Sequence, residues 1–231
     1  MNAGRHRNAP IAAVACLVAL TGSACSSDLE VTTAQDSAVR VIAEGCAARP
    51  TLGGGSFVAP GHVLTVAHVV AGAERVTVTT ADGETHVATV VAIDRDNDLA
   101  VLAVPSAHAP VLAIAPLAVG DVGTLVVTRR DHPAVLSFSA LRHVDIKAAD
   151  IDGTSRSLRR GYQIEAVIEH GDSGSVLVVD GRAGAVVFAR SSTADNRAWA
   201  TDVDEAMPLL QIVAHQSEPV PVDVGDCVGQ A

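Results

Sequence analysis

The chain has 231 residues, 48% of them hydrophobic but only 2% aromatic, and a formal net charge of −10. That length holds one large all-β domain or two small ones, and so much apolar content at 18% charged residues excludes a disordered chain. The acidic balance argues against a generic nucleic-acid binder, which needs a basic face.

Residues 1–24 read as an export signal. Arg5 and Arg7 stand without an acid, residues 11–20 are continuously apolar, and Thr21-Gly22-Ser23-Ala24 brings small residues up to Cys25. This is the order of basic region, apolar core and cleavage site. The apolar run falls short of the about 20 residues that span a bilayer. A small-residue stretch ending in cysteine is similar to a bacterial lipoprotein box, with Cys25 as the lipidated first residue. Gly22 stands where such boxes usually carry leucine, and plain secretion or an uncleaved anchor is the alternative. Loss of Arg5 and Arg7 with the signal takes the charge from −10 to −12. Residues 25–36 are polar and small, and read as a tether to the domain.

From residue 37 onward, short apolar runs alternate with turns. The runs are 39–42, 56–59, 62–66, 75–79, 85–93, 99–104, 123–128, 135–144, 162–167, 175–179, 183–189 and 198–201. Valine dominates them and suits half-buried strands. Pro60-Gly61, Asp82-Gly83, Asp152-Gly153 and Asp180-Gly181 are turn signals, the Asp-Gly pairs favouring hairpins. About twelve short strands predict a barrel or sandwich. Residues 203–215 have helical spacing instead: Ala206, Leu209, Leu210 and Val213 share a face, and Asp202 stands ready to cap it. A proline-rich tail follows and carries Cys227.

Of four cysteines, Cys16 lies in the apolar signal core and Cys25 at its end. Cys46 and Cys227 remain, and a lone pair in an exported domain is most simply a disulfide, two unrelated thiols being the alternative. No cysteine has a second metal ligand close by, so no metal site is expected. No glycine-rich phosphate loop is present, and no cofactor is expected.

Three places carry chemistry: Leu64-Thr65-Val66-Ala67-His68, Asp94-Arg95-Asp96-Asn97-Asp98 and Gly171-Asp172-Ser173-Gly174-Ser175. Singly each is modest. Together they give the order His, Asp, Ser, which differs from the orders of subtilisins and α/β-hydrolases. A serine hydroxyl needs a base to take its proton, and His68 is the histidine in the right context. Asp98 would fix the imidazole tautomer and stabilise the imidazolium. Asp94 and Asp96 compete for that role, and Asp98 is preferred because it directly precedes an apolar strand. The backbone N–H groups of Gly171 and Ser173 are the expected oxyanion donors, with glycine permitting the turn that aims them.

At these residues the chain resembles the trypsin-like, chymotrypsin-fold serine proteases, including the bacterial Deg/HtrA type, and among them the membrane-anchored acid-resistance proteases of actinobacteria. Phe57-Val58, residues 63–72, residues 98–102, Asp150-Ile151-Asp152-Gly153, the Gly171–Gly174 string and residues 184–189 carry the resemblance. It implies an all-β fold of two six-stranded antiparallel β-barrels with a C-terminal helix, here divided as 37–118 and 119–231. It carries the triad onto His68, Asp98 and Ser173, and the oxyanion donors onto Gly171 and Ser173. It likens Cys46 and Cys227 to a domain-closing disulfide. It makes the strand holding Val187, Phe188, Ala189 and Arg190 the one that pairs with substrate backbone. Val167 would sit at the base of the specificity pocket, where valine argues against a preference for Arg or Lys. Arg190 at the rim would favour acidic residues, unless it is an ordinary solvated arginine. Three positions depart from the pattern: Ser175-Val176 for the common Gly-Pro, Ser56 for glycine, and Val66 for asparagine.

The sequence therefore predicts an exported, monomeric serine endopeptidase, lipid-anchored through Cys25 or secreted, acting on protein or peptide substrates. The rival reading is a catalytically impaired, protease-like binding or regulatory lipoprotein of the cell envelope.

Overall fold

The computed structural model describes Met1 and residues 24–46, 48–129, 132–149 and 156–227. The apolar core of the expected export signal and the Asp152-Gly153 turn lie outside the described residues. The chain opens with a helix, α1 (Ala24–Ser37), and continues through β1 (Ala38–Glu44), β2 (Thr51–Ala59), β3 (His62–Thr65), a one-turn helix α2 (Ala67–Val70), β4 (Arg75–Thr79), β5 (Thr85–Asp94) and β6 (Leu99–Ala103). These six strands close into an antiparallel barrel in the order β1-β2-β3-β6-β5-β4. Alternating residues such as Val39, Val41, Phe57, Leu64 and Leu102 fill it.

The second half holds β7 (Ala113–Ile114), β8 (Val122–Arg129), β9 (His132–Ala149), β10 (Arg156–Glu165), β11 (Val176–Val179), β12 (Arg182–Arg190) and β13 (Arg197–Asp202). They form one sheet in the order β11-β8-β9-β10-β13-β12-β7, and β11 also pairs with β12. That extra pairing brings six strands round on themselves, with β7 added in parallel to β12. The expected double-barrel fold is therefore present. Strand periodicity explains how the halves join. Leu125, Val127 and Leu177 point into the second core, while Val126, Val176 and Val178 point the other way and merge with the first barrel's core.

A 3-10 turn (Val203–Ala206) and α3 (Met207–Ala214) follow the second barrel. The Asp202 carboxylate accepts from the Asp204 N–H at 3.1 Å, as the capping expectation required. Ala206, Leu209 and Val213 are buried as one face, against β5 and β6 of the first barrel. The tail stays on that barrel: Val222 N donates to Val90 O at 3.0 Å and Gly72 N donates to Val224 O at 3.1 Å. Cys227 then bridges to Cys46, 181 residues away in sequence, with 5.2 Å between the Cα atoms.

Two elements differ from expectation. Residues 25–36 fold as part of α1, where a tether was expected, because Ala34 and Ser37 are buried against β2 and β8. Strand β2 starts five residues before the expected 56, running through Gly53-Gly54-Gly55, whose low strand propensity conceals it.

Candidate active site

His68 lies in α2, directly after β3, and Asp98 lies in the turn from β5 to β6. The Asp98 carboxylate grips His68 twice. Oδ1 accepts the His68 backbone N–H at 2.8 Å and Oδ2 meets the ring Nδ1 at 2.8 Å. A carboxylate only accepts, so the hydrogen of this bond is on Nδ1, and in the neutral imidazole that tautomer has its lone pair on Nε2. Asp98 is 3% exposed while the His68 side chain is 33% exposed, so the acid is buried and the ring is partly open to solvent. Asp98 also adopts φ +56°, a left-handed conformation that aspartate tolerates better than most residues. Of the competing acids, Asp96 is exposed and Asp94 is engaged elsewhere. Asp94 accepts the N–H groups of Asp96 and Asn97 at 3.0 and 2.9 Å and so ties the turn.

Ser173 sits in the loop between β10 and β11. Gly54 N donates to Ser173 O at 2.7 Å, Gly174 N to Val187 O at 2.7 Å, and Val187 N to Ser175 O at 2.9 Å. The loop is thus pinned to β2 of one barrel and β12 of the other. The approach to β2 is too close for side chains. A Cβ on Gly54 would lie 2.5 Å from Ser175 Oγ, and one on Gly53 would meet both the Val69 side chain and Ser173 O. Gly53 therefore separates the neighbour of His68 from the Ser173 carbonyl, bringing the two loops to one place. Thr65 Oγ1 donates to Gly54 O at 2.7 Å and fixes that strand. Gly171 has φ +95° and Gly174 φ +91°, both in the region that favours glycine. Ser173 Oγ donates to Phe188 O at 3.4 Å.

Two arginines complete the site. Arg129, at the end of β8, donates from Nε to Asp172 Oδ1 at 3.2 Å, through Nη2 to Asp172 Oδ2, from Nη1 to Glu169 at 2.9 Å and from Nη2 to Val167 O at 3.1 Å. Asp172 is 1% exposed, and its hydrogen-bonded carboxylate pushes the Arg129 ionisation still higher. Arg159, on β10, is 3% exposed. Its Nε donates to Asp96 O at 2.6 Å, its Nη1 lies 3.4 Å from Asp98 Oδ2, and its guanidinium lies 5.1 Å from the centre of the Phe188 ring.

The remaining predicted positions lie around the loop. Val167 is 58% exposed. Val187 is fully buried, and a bulge at Phe188 interrupts the register before Ala189 and Arg190 pair with Trp199 and Ala198 of β13. Among the described residues no strand pairs with the other edge of 188–190. A cavity of about 570 Å³, lined by Arg40, Leu52, Arg129, His170 and Gly171 among others, opens beside the loop, with no lining residue from β12. Among the described residues, no helix is long and apolar enough to cross a membrane, and no three His, Cys, Asp or Glu cluster as a metal site. Cys25 lies in α1.

Sequence reasoning passed over Arg129, Arg159, Thr65 and Gly53-Gly54. The glycines carried a readable signal, since glycine inside a strand marks close backbone approach. The arginines carried none, because their burial depends on how β8 and β10 pair.

Residues 53–187 match the model of the trypsin-like peptidase domain. Serine protease Rv3671c of Mycobacterium tuberculosis is 35% identical over 184 residues, 76% of this chain and 45% of that protein. Protease Do-like 1, chloroplastic, of Arabidopsis thaliana is 34% identical over 129 residues, 51% of this chain and 28% of that protein. The crystal structure of the Rv3671c protease in its active form superposes with a TM-score of 0.80 at 28% identity, covering 97% of this chain and all of that one. Its inactive form gives 0.70, covering 83% and 96%. The chain spans less than half the length of the curated relative Rv3671c. It belongs to the trypsin-like peptidase domain family.

Proposed function

We propose that the protein is an exported serine endopeptidase that hydrolyses peptide bonds through Ser173, His68 and Asp98. The observation that carries this reading is the pair of hydrogen bonds that His68 gives the Asp98 carboxylate, from its backbone N–H and from Nδ1, which in the neutral ring favours the tautomer with its lone pair on Nε2. In the first step the Ser173 hydroxyl turns from Phe188 O to His68 Nε2, gives up its proton there, and attacks the scissile carbonyl carbon. The N–H groups of Gly171 and Ser173 receive the oxyanion, a contribution of order 3 kcal/mol when such donors are well aimed. His68 hands its proton to the departing amine, and the acyl group stays on Ser173 Oγ. Water, deprotonated by the same ring, then releases the acid. Asp98 stays ionised throughout and stabilises the imidazolium.

The unpaired edge of residues 188–190 is where the acyl side of a peptide adds as a strand, so Val187, Phe188, Ala189 and Arg190 shape substrate binding. The leaving side then enters the cavity beside Gly171 and His170. Val167 and Arg190 belong to the specificity determinants on this reading, and the protein works at the outer face of the cytoplasmic membrane, held by lipid on Cys25, or free after secretion.

A fluorophosphonate probe tests the chemistry. Covalent labelling that disappears in Ser173→Ala is expected. Purified protein that refuses the probe, and cleaves no peptide in a mixed library, is instead the impaired binding lipoprotein. That rival draws on the resting Ser173 hydroxyl, which faces Phe188 O. Cys25→Ala is expected to release the protein from membranes.

A further inference from the structure

We propose that Arg159 is the positioning residue for Asp98 and, through it, for His68. The inference rests on the reading that the His68–Asp98 pair serves Ser173.

Arg159 comes from the second barrel but works in the first. Strand β10 pairs with β13 only from Gly161 onward, so residues 156–160 pair with β9 alone and form a two-stranded arm. That arm lies over the Asp94–Asp98 turn, where Ser157 Oγ donates to Asp96 O at 2.8 Å beside the Arg159 Nε bond to the same oxygen. The guanidinium then reaches Asp98 Oδ2, the oxygen that holds the His68 ring. Its other neighbour is the Phe188 ring, whose residue supplies the carbonyl under Ser173 Oγ. One buried planar cation thus touches the turn, the acid and the residue beneath the nucleophile.

A buried guanidinium without compensation is costly. Here its compensation is the carboxylate that orients the base, so the arm and the acid hold each other in place. The flat fork suits this task and a lysine point charge does not. Other charges near Asp98 are His68 from α2, Asp94, Arg95 and Asp96 within its own turn, and Glu205 of the 3-10 turn, 3.4 Å from Asn97 Nδ2 and 3.7 Å from Arg160 on the arm. Removing one cation from this group favours proton uptake by its neighbours. A mere strut between barrels would affect stability alone.

The test compares Arg159→Met and Arg159→Lys with the wild type. In Arg159→Met, kcat is expected to fall roughly tenfold or more with KM nearly unchanged, and the acidic limb of the kcat/KM profile to move to higher pH. Arg159→Lys is expected to restore the limb while recovering part of kcat. Independently of turnover, the low-field Nδ1–H proton signal of His68 is followed against pH in Ser173→Ala and in Ser173→Ala/Arg159→Met. Its transition is expected at higher pH in the double variant. If that transition and the acidic limb both stay fixed while only the unfolding midpoint drops, Arg159 is a strut and the inference fails. If the wild type cleaves nothing, the protease reading fails, and the proton signal still decides the Arg159 question. Should Arg159→Met not fold, Arg159→Lys decides: kcat lowered at unaltered KM supports the inference, and wild-type kcat overturns it.

Discussion

Ser175 is 1% exposed, and among the described residues its Oγ has no hydrogen-bond partner. A buried hydroxyl in that state costs about 1–3 kcal/mol. Ser175→Ala removes the penalty at almost the same volume, and the urea midpoint is expected to rise by the equivalent of about 1 kcal/mol. Gly174 makes the opposite case. Its φ is +91° and an added Cβ would meet Gly54 O at 2.2 Å, backbone that has nowhere to go. Gly174→Ala is expected to cost at least about 2 kcal/mol, read in the same unfolding curves. Tyr162 offers a pH test. Burial first, then the charges of Asp202, Asp204 and Asp121, push its phenol up to about 12 from 10.0. The neutral phenol also donates to Leu117 O at 2.6 Å. A pKa raised in the folded state means stability intact below pH 10 and lost progressively between pH 10 and about 12. Tyr162 is the only tyrosine, so ultraviolet phenolate absorbance titrates one group, and its midpoint is expected near 12 in folded protein and near 10 in urea.

Among elements, the loop that carries Ser173 leans on a partner outside itself. Arg129 holds Asp172, Glu169 and the Val167 carbonyl together, and Glu169 N also donates to Asp172 at 2.8 Å. Arg129→Met strands a buried carboxylate. Such losses run to about 3–5 kcal/mol, and the lower end is expected because the Arg129 side chain is 27% exposed. Thermal unfolding checks the figure, and slower fluorophosphonate labelling checks the loop. Such contacts mark where sequence reading ended. Strand β4 matches the run 75–79 end for end because it rests on local pattern, and Asp98, preferred for standing directly before an apolar strand, hydrogen-bonds His68. Strand β2 was read short, since its glycines serve a neighbour and not the strand. The arm of β9 and β10 was longer than the runs 135–144 and 162–167 because paired polar strands such as 156–160 lack apolar alternation. A polar stretch read as a tether became α1 once Ala34 had a surface to bury against.

At the scale of the molecule, the C-terminal region belongs to both barrels. Helix α3, the 222–227 tail and the Cys46–Cys227 bridge all lie on the first barrel, and Cys227 packs against Gly72, two residues past α2. The chain-entropy account values so wide a loop at about 5 kcal/mol, and measured bridges more often give 2–4. Replacing both cysteines by serine is expected to lower stability by about 2–4 kcal/mol, checked by denaturant unfolding beside the reduced wild type. The strap also imposes an order in time. His68 and Asp98 leave the ribosome well before Arg159, Ser173 and the tail that seals their barrel. A nascent chain therefore holds every strand of the first barrel long before the tail that clasps it, and the proposed triad is whole only once Ser173 has been made.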